Sequence, residues 1–312
     1  MFLRASFLVS TIIAFCALWQ PVHSQSGSDS YVNEILAQRR ARDEEFRSRN
    51  WSALAVTAIA QLDRPKITIG SGPDADLRLV SDELAALHAE VTREPDSGGH
   101  PVFRLHATGG KIWSESEPPR LVSDMPFDPG TRVRIGRFLV YWENLGTFGP
   151  VIRVLDYSSP AFTRFQGLNY FPPDPAYRLE AKVVPYPKME QVMIGDTHGW
   201  RRPAWKYGEA SFVIAGKDLR LVVLLFTPRP EAKDTFFIAF TDTTGGKETY
   251  PAARYLQPPF VASGRMILDF NQAINPLCAY NQGFACPLPP RENRLPVAIR
   301  AGEKIYPHAI GH

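Results

Sequence analysis

ITIGSGPDADLRLVSDELAALHAEVTRE, residues 67–94, decides how the amino-terminal half of this chain is read. Ile67 and Ile69 alternate with polar neighbours, as do Leu77 and Leu79, then Ala89 and Val91. Gly70, Gly72, Pro73 and Asp74 punctuate the first pair of runs. A period of two puts alternate side chains on one face, the signature of a half-buried strand, and Gly/Pro/Asp clusters supply the reversals. VFRLHAT (102–108), TRVRIG (131–136) and FLVYW (138–142) repeat the pattern. Such a series closes most economically into a two-layer β-sandwich, because each half-apolar sheet needs another to bury its face.

Asp63-Arg64-Pro65 interrupts the chain ahead of this region, so the first β-unit is expected over residues 64–150. A second is expected over 151–312. VIRVLDY opens it, and ASFVIAG, LRLVVLLFT, DTFFIAFTD and RMILDFN provide further strands of an antiparallel sandwich or partly open barrel. Pro172, Pro173 and Pro175 cannot occupy a central ladder, and should fix the approach of a strand over Tyr177–Val184. The fold class is therefore mainly β with a short amino-terminal helix.

That helix is expected within residues 25–63. Ser26–Ser30 is polar and reads as loose, whereas Tyr31–Asn50 lacks Pro and Gly and is rich in helix formers, with a sparse apolar stripe at Ile35, Leu36 and Phe46. QRRARDEEFRSR (38–49) mixes acids among its arginines and reads as a solvated helix face rather than a nucleic-acid surface. Ahead of it, Arg4 and an apolar run from Ala5 to Trp19 precede Ser24, the pattern of a secretory signal peptide over residues 1–24. Its removal takes the formal charge from +3 to +2 and leaves a chain with no membrane-spanning stretch. The expected location is extracytoplasmic, periplasmic or secreted.

Of 3 cysteines, the leader contains Cys16. An isolated Cys278/Cys286 pair in an oxidising compartment favours a disulfide over a free thiol or a metal pair, since the spacing fits neither a zinc ribbon nor a redox CxxC motif.

Two resemblances add to this reading. Residues 67–94, followed by DPGTRVRIGRFLVYW (128–142), resemble a forkhead-associated domain, an eleven-stranded sandwich whose members usually bind phosphothreonine. That family's strand-end arginine and motif serine are matched here by Ser71 and Ala85, so the resemblance implies the shape without the phosphate donors. His88, at the motif histidine, is expected to be a buried structural donor. The second resemblance spans GLNYFPPDPAYRLEAKV, FIAFTDTTGGKETYPAARYL and LDFNQAINPLCAYNQGFACPLPPRENRLPVAIRAGEK, and is most specific from Phe165 to Lys304. These runs are similar to the DUF1684 family, which supplies no activity.

Candidate chemistry follows from residue type. Arg254, Asp269, Asn271, Asn275, Asn293 and Lys304 form a polar strip suited either to a polar ligand or to satisfying loop carbonyls, with the structural use favoured. Trp200 and Trp205, in HGWRRPAWKYG, could cover a sugar or peptide face or close the core. For a hydrolase, Asp242, Glu292 or Glu303 would serve as general base, beside Arg254 or Lys304. No metal site or cofactor is expected. The leading expectation is an exported ligand-binding protein or interaction scaffold, its partner a small molecule, a glycan or an envelope protein. A divergent hydrolase is the alternative, and phosphopeptide binding the least favoured.

Overall fold

The computed structural model describes residues 25–48, 51–95, 101–144, 149–281 and 283–307. The expected signal peptide over 1–24, and Arg49 and Asn50 at the expected helix end, lie outside these residues. Among the described residues no helix is long and apolar enough to cross a membrane.

Helix α1 runs Gln25–Arg47, so it reaches back through the segment expected to be loose. Elongating an existing helix costs little compared with nucleating one, and Tyr31 anchors this one by donating its hydroxyl to both Asp269 oxygens at 2.8 Å. The docking is polar as much as apolar. Arg39 Nη1 donates to the Phe171 carbonyl at 2.8 Å, Arg42 Nε to Glu303 at 2.6 Å, and the Leu168 N–H donates to Asp43 at 3.0 Å, while Ile35 and Phe46 are fully buried. The charge-rich run is therefore no simple solvated face. Arg39, Arg42 and Asp43 hold the helix against the carboxyl-terminal region.

The next strands are β1 (Val56–Gln61), β2 (Lys66–Gly70), β3 (Leu77–Arg78), β4 (Ala89–Glu94), β5 (Val102–Ala107), β6 (Ile112–Ser114), β7 (Leu121–Val122), β8 (Asp124–Pro126), β9 (Val133–Ile135), β10 (Phe138–Asn144) and β11 (Pro150–Leu155). They form a six-stranded sheet, β1-β11-β10-β9-β6-β7, and a five-stranded sheet, β3-β2-β4-β5-β8. The register matches the alternation: Ile67 faces Val91 and Ile69 faces Ala89, while Val140 faces Val154 and Trp142 faces Ile152. These side chains belong to one hydrophobic cluster shared by both sheets. The VIRVLDY strand, read from sequence as the start of the second unit, is β11 and pairs with β1 and β10 in the first sheet.

His88 is 3% exposed. Its Nδ1 accepts from the Ala85 N–H at 3.3 Å and its Nε2 lies 3.1 Å from the Lys111 carbonyl, which fixes the proton on Nε2. This is the structural role expected of it.

The carboxyl-terminal region contains β12 (Arg178–Gly195), β13 (Arg201–Ile214), β14 (Lys217–Leu225), β15 (Ile238–Phe240), β16 (Arg254–Leu256) and β17 (Gly264–Asp269). The order β14-β13-β12-β17 makes a four-stranded antiparallel sheet, and β15 pairs with β16. β12 continues well past the strand expected to end at Val184, because its register slips between Pro185 and Glu190 and lets the chain pass the missing proline donors before pairing resumes. A core of Phe212, Leu221, Phe236, Phe240, Leu268 and Phe270 lies beneath this sheet.

A third apolar cluster joins the two regions. Phe46, Leu54, Leu139 and Leu155 meet Tyr280, Phe284, Tyr306 and the two cysteines. Asn281 Nδ2 donates to the Ala53 carbonyl at 3.0 Å and also to that of Val56. The carboxyl-terminal strip thus ties its own domain to the first sheet.

Candidate functional site

Where helix α1, the edge strand β1 with its neighbour β11, and the carboxyl-terminal loops converge, they leave a cleft of about 260 Å³. Arg42 enters from α1, Ile59 from β1, and Val151 and Arg153 from β11. The β12–β13 turn brings Trp200, and β13 brings Arg202. Ile274 to Leu277 and Phe284 to Pro287 make the remaining wall, with Tyr255 behind.

The β12–β13 turn is built by Asp196, whose Oδ1 accepts from the N–H groups of His198 at 3.0 Å and Trp200 at 2.9 Å. Gly199 takes φ +81° there, a left-handed conformation that a side chain would strain. Thr197 then joins the turn to the cysteine loop. Its N–H donates to the Cys286 carbonyl at 3.0 Å, and its hydroxyl accepts from the Cys286 N–H at 3.1 Å.

The lining contains three guanidinium groups and no carboxylate. Arg42 is held by Glu303, and Arg153 by Glu143 outside the cleft. Arg202 Nη2 donates to the Ala285 carbonyl at 3.4 Å. Burial pulls the Arg202 guanidinium down to about 10, so it stays protonated at neutral pH. Burial also works against Arg42, but the Glu303 carboxylate and the Tyr280 hydroxyl outweigh it and raise its pKa. The other lining groups are chiefly apolar, which strengthens any charge pairing made inside.

Arg42 Nη2, Arg153 Nη1 and Asn275 Oδ1, all on lining residues, are buried with no hydrogen-bond partner among the described residues. Asn275 is 2% exposed and its orientation is fixed on the opposite side. Its N–H donates to Glu303 Oε2 at 2.6 Å and its Nδ2 to the Lys304 carbonyl at 2.8 Å, so the oxygen is the free end.

Cys286 lines the cleft and Cys278 lies behind it, both as buried free thiols in this structure. The Cys278 N–H points to Cys286 Sγ at 3.2 Å, and the Tyr250 hydroxyl donates to Cys278 Sγ at 3.6 Å. Hydrogen bonding from Cys286, opposed by burial and helped by Tyr250, draws the Cys278 thiol down to about 7. The same partnership, with burial, pushes Cys286 far up.

The residues singled out from sequence fall in several places. Trp200 and Asn275 line the cleft. Trp205 lies on β13 opposite Gln191 and Leu225, away from the cleft, so HGWRRPAWKYG is largely strand rather than a flap. Arg254, 1% exposed, donates to Asp242 and to the carbonyls of Ile299 and Ala301. Asn293 bridges β14 and β15 by accepting from the Val222 N–H and donating to the Val222 and Ala239 carbonyls. Asn271 is consumed by Tyr31, Asp174 and Asp269. Asp269 also borders a separate cavity of about 260 Å³ beside Tyr31 and Arg178. Lys304 stacks its ammonium 5.3 Å from the Phe171 ring.

Nor do the three acids gather. Besides Arg254, Asp242 accepts from Thr244 N and Oγ1 at 2.8 and 2.6 Å. Glu303 is fully buried and accepts from Arg42, Tyr170, Asn275 and Tyr280. Glu292 is exposed and pairs with Lys206 at 2.8 Å, whose hydrogen bond draws its pKa down. Among the described residues there is no group of three or more His, Cys, Asp or Glu arranged to hold a metal ion.

Sequence reading missed Arg42, Arg153 and Arg202. A signal existed for Arg153: it sits alone between Ile152 and Val154 in a strand buried along both faces, where a charge needs a partner or a use.

Residues 163–304 match the family model described as a protein of unknown function, DUF1684. The chain carries a DUF1684 domain. The span agrees with the one legible from its motifs. An uncharacterized protein from gene locus rrnAC0354 of Haloarcula marismortui, solved by NMR, is 34% identical over 46% of this chain and 78% of its own, with a TM-score of 0.39. The Slr1951 protein of Synechocystis sp. is 17% identical over 31% of this chain and 84% of its own, with a TM-score of 0.23. No curated protein matches. The DUF1684 domain supplies Trp200, Arg202, Asn275 and Cys286 to the cleft, whereas Arg42, Ile59, Val151 and Arg153 come from the chain before it.

Proposed function

We propose that this protein is an exported binding protein that accepts a small organic anion in the cleft between its first sheet and its DUF1684 domain. One observation carries the reading: three guanidiniums and no carboxylate line a largely apolar cleft. Buried cations of this kind select for a negative partner, and apolar walls shield the pairing from water. The acids a hydrolase would need have internal partners instead, which favours binding over hydrolysis.

The amino-terminal half is, in this reading, a forkhead-associated-like sandwich used as a wall. Among the described residues its strands number eleven in two sheets around one core, and its Ser71 hydroxyl donates to the Leu84 carbonyl at 2.8 Å rather than standing ready for phosphate. Export rests on the leader sequence. Amino-terminal sequencing of the mature protein should begin at Gln25, and a retained Met1 would remove this part of the reading.

The binding reading is tested by screening small carboxylates and phosphate monoesters against the full mature chain by ligand-observed NMR. Ala285→Phe, which fills the cleft from its wall, should abolish the hits while the melting curve stays cooperative. Hits unaffected by that substitution would move binding elsewhere, and an empty screen would end the reading.

A further inference from the structure

We infer that the ligand is an amphipathic organic anion with an N–H or O–H donor next to its acidic group, as in an N-acyl amino acid. This deepens the binding reading and rests on it.

The inference comes from three buried atoms on lining residues that have no hydrogen-bond partner among the described residues. Arg42 spends Nε on Glu303 and keeps Nη2; Arg153 spends Nε on Glu143 and keeps Nη1. Both are donors, and together they ask for an acceptor-rich anionic group. Asn275 keeps the opposite kind of group. With Nδ2 committed to Lys304 and the backbone N–H to Glu303, its Oδ1 accepts and needs a donor.

A plain fatty acid answers the arginines and leaves Asn275 unmet. A neutral amide does the reverse. Each mismatch strands a buried polar group, and such groups are the strongest source of discrimination in a binding site. The apolar remainder of the ligand would lie against Ile59, Val151, Ile274, Leu277 and Phe284, all part of the cleft wall. Trp200 would cover it from the β12–β13 turn.

The test uses calorimetry on the full mature chain with four probes: N-hexanoylglycine, its methyl ester, hexanoate and hexyl phosphate. N-hexanoylglycine should bind about tenfold or more tightly than each of the others. In Arg153→Gln, checked for an unchanged melting profile, its affinity should fall to that of the ester. In Asn275→Ser it should fall to that of hexanoate. Equal binding of acid and ester, or of N-hexanoylglycine and hexanoate, overturns the inference but leaves a binding cleft. Tighter hexyl phosphate overturns it in favour of a phosphate headgroup. No binding of any probe also overturns it, and the binding reading then stands or falls on whether the wider screen yields hits that Ala285→Phe removes.

Discussion

Arg42 of helix α1, partly exposed, and the fully buried Glu303, 261 residues apart in the chain, form an ion pair at 2.6 Å. Glu303 accepts four hydrogen bonds there and joins the helix, the DUF1684 domain and the cleft through one carboxylate. Glu303→Gln leaves Arg42 without its counter-charge, and the expected loss is about 3–5 kcal/mol in urea unfolding. Removing both partners in Arg42→Met/Glu303→Leu should be milder than the single change. If Glu303→Gln unfolds like the native protein, the pair is not what holds the helix.

The cysteine pair makes a second prediction. Export should close Cys278 and Cys286 into a disulfide, adding about 2–3 kcal/mol by restricting the unfolded chain. Non-reducing mass spectrometry should find the loop two hydrogens lighter than in the reduced protein, and two free thiols in native protein would remove the bridge. Reduced protein has its own signature. Cys278 ionises more readily when folded, so its contribution to stability is lost as pH falls through about 7 and is fully present above its ordinary value of 9.0. Cys286, pushed up, acts in the opposite sense and weakens the fold as pH rises past 9.0. Under reducing conditions the stability gap between native protein and Cys278→Ser should therefore widen from pH 7 to pH 9.

Which parts of this were legible beforehand follows from the range of each interaction. Strands such as Ile67–Ile69 and Ala89–Val91 are written locally, because alternation depends on near neighbours. The partner of β11 is not: the pattern of Val151 to Leu155 says that the strand is buried but not which sheet buries it. The helix start was missed because Gln25 to Ser30 has little propensity of its own, and is continuous with a helix anchored by Tyr31 on Asp269. At the site, Trp200 and Asn275 stood out by type. Arg42 was hidden in a charged run, and its burial depends on Glu303 at the far end of the chain.

Asn281 tests the junction between the regions. Its Nδ2 serves the carbonyls of Ala53 and Val56, and its Oδ1 accepts from the Gly283 N–H at 2.9 Å. Asn281→Ala would strand these groups in a buried interface, with an expected loss of about 1–3 kcal/mol. Chemical denaturation measures that loss, and limited proteolysis should show faster cutting near Ala53 if the junction loosens. An unchanged midpoint would mean that the apolar cluster alone carries the contact.

His88 gives the last test, because its position depends on an absence. A Cβ added at Gly110 would fall 1.9 Å from His88 Cε1, with the rest of the ring nearly as close. Gly110→Ala must therefore displace a buried imidazole that spans Ala85 and Lys111. Overpacking of this kind costs about 1–3 kcal/mol. His88→Ala alone is also destabilising, since it opens a cavity and strands two backbone groups. The double change should cost less than the sum of the two, because the added methyl enters space the ring has left. A double-mutant cycle by thermal or urea unfolding reads that coupling directly. Strict additivity would show that the ring and the glycine do not share the space, and would withdraw the structural role assigned to His88.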